Sequence, residues 1–385
     1  MRAEPSRLII VASSGRAMAE SAVRGGYSVA VVDGFCDQDT LAVASCAAVR
    51  SHFLGIDPDG VRTEVERLAA RAWSGGLVYG AGLERASATL GWLAGRVPVF
   101  GNGPDVIECL RDPPRFFGLL DDLRIPHPEI RFEPPLHDKS EWLVKEPGTS
   151  GGLGVHRWRS TDEPLTGEHY FQRFLDGTVS SVLFIADGAD YSIIGFNRLM
   201  VAAIGDRPFL YGGAVSQAVL APDHQRSAEH AVRQLVSALG LRGVNNLDFV
   251  SCDGRLYLLE LNPRPSATLS LYDADCAGGW IRRHVRACLG ELPARSSEST
   301  RAIRGHRVVY APRGLEIAPR VPWPTWAKDR PVPGTRLAAG APLCTVLAAG
   351  DAEEIVERRL LDRQRTILAM ILDASADGGS RVIHS

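Results

Sequence analysis

Asn246-Leu-Asp-Phe-Val-Ser-Cys-Asp-Gly-Arg-Leu-Tyr-Leu-Leu-Glu-Leu-Asn-Pro-Arg264 predicts a β-hairpin with one carboxylate on each arm. Its two apolar arms are joined by Cys252-Asp253-Gly254-Arg255, and Asp-Gly is a strong hairpin-turn signal. Asp248 and Glu260 stand about equally far from that turn, so the pairing puts them side by side on one face. Two adjacent carboxylates among apolar residues are costly unless a cation neutralises them. Asp248, Glu260 and the amide of Asn262 offer only oxygen ligands of the kind Mg²⁺ takes. Arg264 adds a fixed positive fork suited to phosphate or carboxylate. The plain alternative is a surface hairpin with solvated acids.

Upstream, Glu141-Trp-Leu-Val-Lys145 predicts a short strand that runs into Glu-Pro-Gly148-Thr-Ser-Gly151-Gly152-Leu-Gly154-Val155. Glycines let backbone N–H groups approach phosphate oxygens closely, and Lys145 can supply the charge. The order is not that of a Walker A loop, because the lysine precedes the glycines. The chain's only lysines are Lys139, Lys145 and Lys328. In so arginine-biased a sequence, a lysine beside a glycine loop points to a use for its compact ammonium. A flexible loop with a chance lysine is the alternative.

Together with Tyr170-Phe-Gln172-Arg173-Phe174-Leu175-Asp-Gly177, these segments resemble the ATP-grasp superfamily in content and order over about residues 97–290. The resemblance implies an α/β fold of the α+β grasp type: a Rossmann-like N-terminal domain, a two-lobed ATP-grasp domain, and here a small β-rich C-terminal section. It implies ATP and Mg²⁺, with Mn²⁺ as an alternative. Lys145 would touch the phosphates and Gly151, Gly152 and Gly154 would form a lid over them. Gln172, Arg173, Phe174 and Leu175 would line the adenine slot. Asp248, Glu260 and Asn262 would hold the metal, and Arg264 would steady the transferring phosphoryl group. Arg173 departs from the family pattern, which often has an acid there. Arg115 stands near where many members place another phosphate-binding lysine.

A chain of 385 residues exceeds what one hydrophobic core usually supports, so two or three domains are expected. A formal charge of −2 gives no electrostatic case for nucleic acid or an anionic membrane as a partner. Seven scattered cysteines without a Cys-x-x-Cys predict reduced thiols rather than a disulfide framework or zinc site. With no apolar run near about 18 residues and no basic-then-apolar leader, a cytoplasmic location is expected.

Along the chain, a strand over 7–12, a helix over 17–24 and a strand over 28–33 predict a parallel β-α-β unit. A dinucleotide site with Asp33 as ribose acid is the alternative use, but the glycine fingerprint is absent. The expected domains are 1–112, 113–296 and 301–385, with a serine-rich linker over 294–300. In the third, strands are expected over 307–311, 331–335 and 343–347, then a helix over 352–372. No Met-Lys-Met marks a biotin attachment site.

The resemblance implies an ADP-forming ligase that activates a carboxylate as an acylphosphate and joins it to an amine. Both substrates would be small molecules, and a homodimer is one option for assembly. Asn197-Arg198 is a candidate contact to phosphate or substrate carboxylate, and 209–213 a candidate aromatic loop. Pro265–Thr268 is expected to face the acceptor pocket. Local strings such as Asp37-Gln-Asp39-Thr40 and Tyr79-Gly-Ala-Gly-Leu-Glu84 resemble a carboligase branch associated with tetrahydromethanopterin or methanofuran one-carbon metabolism, which implies coenzyme biosynthesis. An ATP-dependent carboxylase and a non-catalytic nucleotide-binding regulator are the competing readings.

Overall fold

The computed structural model describes residues 4–52, 55–69, 75–137, 141–159, 165, 167–293 and 302–376. Three sheets build the α/β fold around the cleft, and the expected linker over 294–300 lies outside the described residues.

The first sheet is five-stranded and parallel, in the order Ser45–Ala48, Ser28–Asp33, Arg7–Ala12, Gly76–Tyr79, Val99–Phe100. Leu8 to Ala12 are wholly buried, as a central strand covered on both faces requires. Helix Arg16–Arg24 follows the first strand. The Asp33 carboxylate accepts N–H bonds from Gly15, Phe35 and Cys36. It therefore closes its own turn, which explains an acid there without a dinucleotide.

A second, four-stranded sheet runs Val155–Arg157, Trp142–Lys145, Tyr170–Arg173, Ile130–Arg131. Side chains alternate across it. Trp142, Val144 and Phe171 pack with Trp158 in a small core, while Leu143, Lys145, Tyr170 and Gln172 take the other face.

The third sheet has eight strands: Arg255–Asn262, Arg242–Cys252, Thr178–Asp187, Tyr191–Ile204, Arg207–Ser216, Ile303–Tyr310, Pro342–Gly350, Ala327–Lys328. On one face lies helix Pro222–Leu239, whose Ala228, Ala231, Val232, Leu235 and Val236 meet Val182, Phe184 and Leu247. That helix ends on Gly240 at φ +61°, a left-handed cap that favours glycine. On the other face Leu183, Ile185 and Val244 share a core with Leu8, Ile10, Ile281 and Val285, which joins this sheet to the parallel one.

Three expectations need correction. The aromatic stretch over 209–213 is no loop but the middle of strand Arg207–Ser216. Residues 331–335 form no strand; Arg336–Leu337 pairs with Leu315–Glu316 instead. The cysteines are not all reduced thiols, because Cys36 and Cys46 form a disulfide with Cα atoms 5.8 Å apart. The parallel pairing of Val31 with Cys46, after short helix Gln38–Val43 has returned the chain, brings the two together. No helix among the described residues is long and apolar enough to cross a membrane.

Candidate active site

The acidic hairpin forms as its pattern dictates. Asp253 and Gly254 both have positive φ, +49° and +72°, as a two-residue type I′ turn demands. The register sets Asp248 opposite Glu260 and Asn246 opposite Asn262, so four polar side chains share one face. Asn262 Nδ2 donates to Glu260 Oε1 at 2.8 Å and to Asp248 Oδ2 at 3.3 Å. Asn246 Nδ2 donates to Asp248 Oδ1. Arg264, just past the strand and buried, donates from Nε to Glu84 Oε1 at 2.7 Å and from Nη2 to Asn262 Oδ1 at 2.9 Å.

The electrostatics of the pair are asymmetric. Burial and the facing Glu260 push the Asp248 carboxyl well above the usual range. Burial acts the same way on Glu260, but Lys145, hydrogen bonds from Asp248 and Asn262, and Arg264 together hold it below its ordinary value. The pair therefore favours one shared proton, held on the Asp248 side, as two close, half-buried carboxylates require.

Opposite the hairpin, Lys145 ends its strand in register with Tyr170 and Val155. Burial acts to lower its ammonium, but Tyr170, Glu260 and Asp248 outweigh that and leave it raised, hence firmly charged. The glycine loop spans from Lys145 to Val155 and is closed at its base by Glu146 N–H donating to Gly154 O at 2.9 Å. Its tip rests on strand Arg207–Ser216, where Tyr211 N–H donates to Gly151 O at 2.9 Å. Gly152 sits at φ +76°, and a Cβ there would lie 1.8 Å from Phe209 O, so only glycine fits. Lys145, Glu146, Gly148, Thr149, Gly152 and Tyr170 line a cleft together with Glu84, Glu260 and Asn262 and with apolar Ile107, Phe116 and Phe117.

The remaining predicted residues divide. Gln172 is 1% exposed and its Oε1 has no hydrogen-bond partner. Phe174 stacks under Arg157, 3.9 Å from guanidinium to ring centroid. Arg173 turns outward to Glu141 and Glu129, and Leu175 is half-buried beside it. Arg115 is exposed in the first turn of helix Pro113–Asp122. Asn197 is fully buried, with its amide donating to Ser181 Oγ and its oxygen accepting from Tyr272. Arg198 pairs with Glu353 and Glu357 of helix Glu353–Ala376. Neither Asn197 nor Arg198 lines the cleft. In the stretch over 265–268, Thr268 Oγ1 donates to Asn246 Oδ1 at 3.5 Å and so stands behind Asp248.

Sequence reasoning missed Glu84, Asn246 and Asn102. Asn102 Nδ2 donates to Pro263 O at 2.7 Å and to Asn245 Oδ1 at 2.8 Å, which pins the chain between Asn262 and Arg264. Glu84 and Arg264 are 180 positions apart, and no local pattern signals such a pair.

Residues 114–268 match the family model described as an ATP-grasp domain. The chain carries an ATP-grasp domain. The arginine-specific large chain of carbamoyl phosphate synthase from Geobacillus stearothermophilus is 27% identical over 194 residues, covering 46% of this chain and 18% of that protein. The corresponding large chain from Corynebacterium glutamicum is 27% identical over 274 residues, covering 64% of this chain and 24% of its own length. The chain thus spans about a quarter or less of these relatives.

Among solved structures, the biotin carboxylase domain of Hydrogenobacter thermophilus 2-oxoglutarate carboxylase, a dimer with MgADP, ADP and bicarbonate, superposes at a TM-score of 0.73. It shares 11% identity and covers 95% of this chain and 90% of that one. N5-carboxyaminoimidazole ribonucleotide synthetase from Thermotoga maritima gives a TM-score of 0.66 at 14% identity, covering 94% and 98%. These likenesses establish that the ATP-grasp domain sits in a biotin-carboxylase-like α/β fold.

Proposed function

We propose that this protein is an ATP-dependent, ADP-forming ligase that activates a small carboxylate as an acylphosphate and joins it to an amine. The observation that carries this reading is the facing Asp248–Glu260 pair, set between Arg264 and a charged, half-buried Lys145. Two half-buried acids that share a proton suit a divalent cation, and the Asn262 amide nitrogen lies between them. Asp248 and Glu260, with Asn262 turned to present its oxygen, would hold Mg²⁺, which neutralises charge on the triphosphate. In this reading Lys145 and the loop N–H groups bind the phosphates. Gln172 gives the adenine amine the partner that its buried Oε1 lacks. Arg115, Arg173, Asn197 and Arg198 hold no place in it.

A carboxylate oxygen attacks the γ-phosphorus and its bond to ADP breaks; the amine nitrogen then attacks the acyl carbon, expelling phosphate and losing a proton. Arg264 faces the charge that develops on the phosphoryl group, and the seated glycine loop keeps water from the acylphosphate. The division into 1–112, 113–296 and 301–385 belongs to the same proposal, as does a setting in coenzyme or small-metabolite synthesis.

A second reading takes bicarbonate as the activated acid. It is favoured by the likeness to a carboxylase structure that contains MgADP and bicarbonate. ADP release measured over a panel of acids and amines, with and without Mg²⁺, tests both. Amine-dependent release supports the ligase; release that needs bicarbonate and no amine supports the second reading. Tight ATP binding without turnover would leave a nucleotide-binding regulator.

A further inference from the structure

Asn262 and Arg264 are bonded to each other in an arrangement that a filled metal site cannot leave intact. Without a cation the two facing carboxylates need donors, and the Asn262 amide supplies them. Its Nδ2 donates to Glu260 Oε1 at 2.8 Å and to Asp248 Oδ2 at 3.3 Å. Its Oδ1 is thereby turned away from the acids and accepts from Arg264 Nη2 at 2.9 Å. A divalent cation between Asp248 and Glu260 reverses the requirement, because it takes oxygen ligands and repels N–H groups. To present Oδ1 there the amide must turn over, and Nδ2 then faces Arg264. A guanidinium has donors and no acceptor, so two donors would oppose each other. The Asn262–Arg264 bond therefore has to break.

What holds Arg264 afterwards is Glu84. Its Oε1 accepts from Arg264 Nε at 2.7 Å and lies 2.6 Å from Nη2. Its Oε2 accepts from Gly82 N–H at 2.6 Å. The turn that carries it is fastened in turn, since Ser13 N–H donates to Ala81 O at 2.7 Å and Ile56 N–H to Gly82 O at 3.1 Å. Glu84 is thus anchored to the N-terminal sheet and its loops rather than to the hairpin, and a change at Asn262 leaves it in place. Nη2 carries two N–H groups. One serves Glu84 and the other Asn262, so turning the amide releases one of them. Glu84 and Asn262 both line the cleft, and Nη2 is within hydrogen-bond distance of each.

We propose that Glu84 is a positioning residue that retains Arg264 while Asn262 exchanges it for the divalent cation, so that one Nη2–H of Arg264 becomes available to a phosphoryl oxygen only in the metal-loaded cleft. The inference rests on the metal reading of Asp248 and Glu260 given above. It couples the two ligands: filling the metal site strengthens the hold of Arg264 on the phosphoryl group, and that group strengthens metal binding by the same factor.

Two crystal structures of the full chain without nucleotide, one metal-free and one with Mn²⁺, test it without any turnover. The metal-free form should show Asn262 Oδ1 on Arg264. With Mn²⁺, Asn262 Oδ1 should lie on the metal, Arg264 Nη2 should stand more than about 3.5 Å from the Asn262 amide, and Nε should remain on Glu84. An Asn262–Arg264 bond that survives with Mn²⁺ on both acids overturns the proposal. Mn²⁺ bound away from Asp248 and Glu260 overturns the metal reading itself, and the proposal falls with it. Kinetics add a second test: ADP release from MgATP with bicarbonate as probe, with MgADP affinity measured alongside. Glu84→Ala should lower kcat roughly tenfold, with MgADP affinity and the KM for MgATP within about twofold of wild type. Glu84→Gln, which keeps an oxygen for Nε and Nη2, should recover most of that loss. Wild-type kcat in Glu84→Ala, or equal loss in both variants, refutes the positioning role. Should bicarbonate support no turnover, the pair of crystal structures decides alone.

Discussion

The two walls of the cleft are built on opposite plans. The acidic hairpin is fixed from every side: its register is set by a ladder of paired residues, its acids are bonded by two asparagines, and Asn102 and Glu84 clamp Pro263 and Arg264 at its end. The glycine loop opposite is tied at its base by Glu146 to Gly154, and at its tip by one backbone bond from Tyr211 and a fit that tolerates no side chain at Gly152. One wall holds its acids in a bonded frame; the other is a glycine turn seated against strand Arg207–Ser216.

Breaking the fixed wall should have the largest effect. Glu260→Gln is expected to lower ADP formation by about a thousandfold, since it removes the negative charge of one proposed metal ligand. Unfolding curves should match the wild type, and near-normal turnover would remove the two-carboxylate site from the account.

The same wall can be attacked from behind by acid. Val244 N–H, on the Asp248 strand, donates to His284 Nδ1 at 2.8 Å, and the other ring nitrogen of His284 bonds Phe100 O at 3.0 Å. Burial lowers this imidazole from 6.5 to about 4. The unfolded chain thus binds the proton first, so stability is full above about pH 6.5 and falls as pH drops toward 4. At about 1.4 kcal/mol per unit, the loss approaches 3 kcal/mol. Denaturant titrations across that window should show the slope, and His284→Gln should flatten it; an unchanged slope would assign it to other groups.

On the loop side, Lys145→Met should raise the KM for ATP and lower kcat/KM by about a hundredfold, because a charged group proposed to face the phosphates is lost. An unchanged KM would place the phosphates elsewhere. Gly152→Ala should act more mildly, lowering kcat about tenfold while MgADP affinity holds, because the loop can no longer seat against Phe209. Equal loss of affinity would mean that the loop binds nucleotide rather than closes over it.

The fixed wall was legible in the sequence because its determinants are local. Asp253-Gly254 sets the turn, the turn sets the register, and the register places Asp248 against Glu260. The glycine loop was legible for the same reason, from residues within about ten positions of Lys145. What brings distant segments together was not. Glu84 meets Arg264, Asn102 meets Pro263, and Tyr211 meets His306 only through the packing of separate sheets and strands. Nor does Asn197-Arg198 reveal by its letters that one side chain is buried beneath Tyr272 and the other drawn to the terminal helix. The Cys36–Cys46 pairing needed the parallel register of two strands that the scatter of cysteines does not encode.

A crystal structure with Mg²⁺ and a non-hydrolysable ATP analogue tests the central claim most directly. The account predicts metal within about 2.1 Å of carboxylate oxygens from both Asp248 and Glu260, and phosphates between Lys145 and the glycine loop. A metal bound elsewhere, with Asp248 still sharing its proton with Glu260, would contradict it.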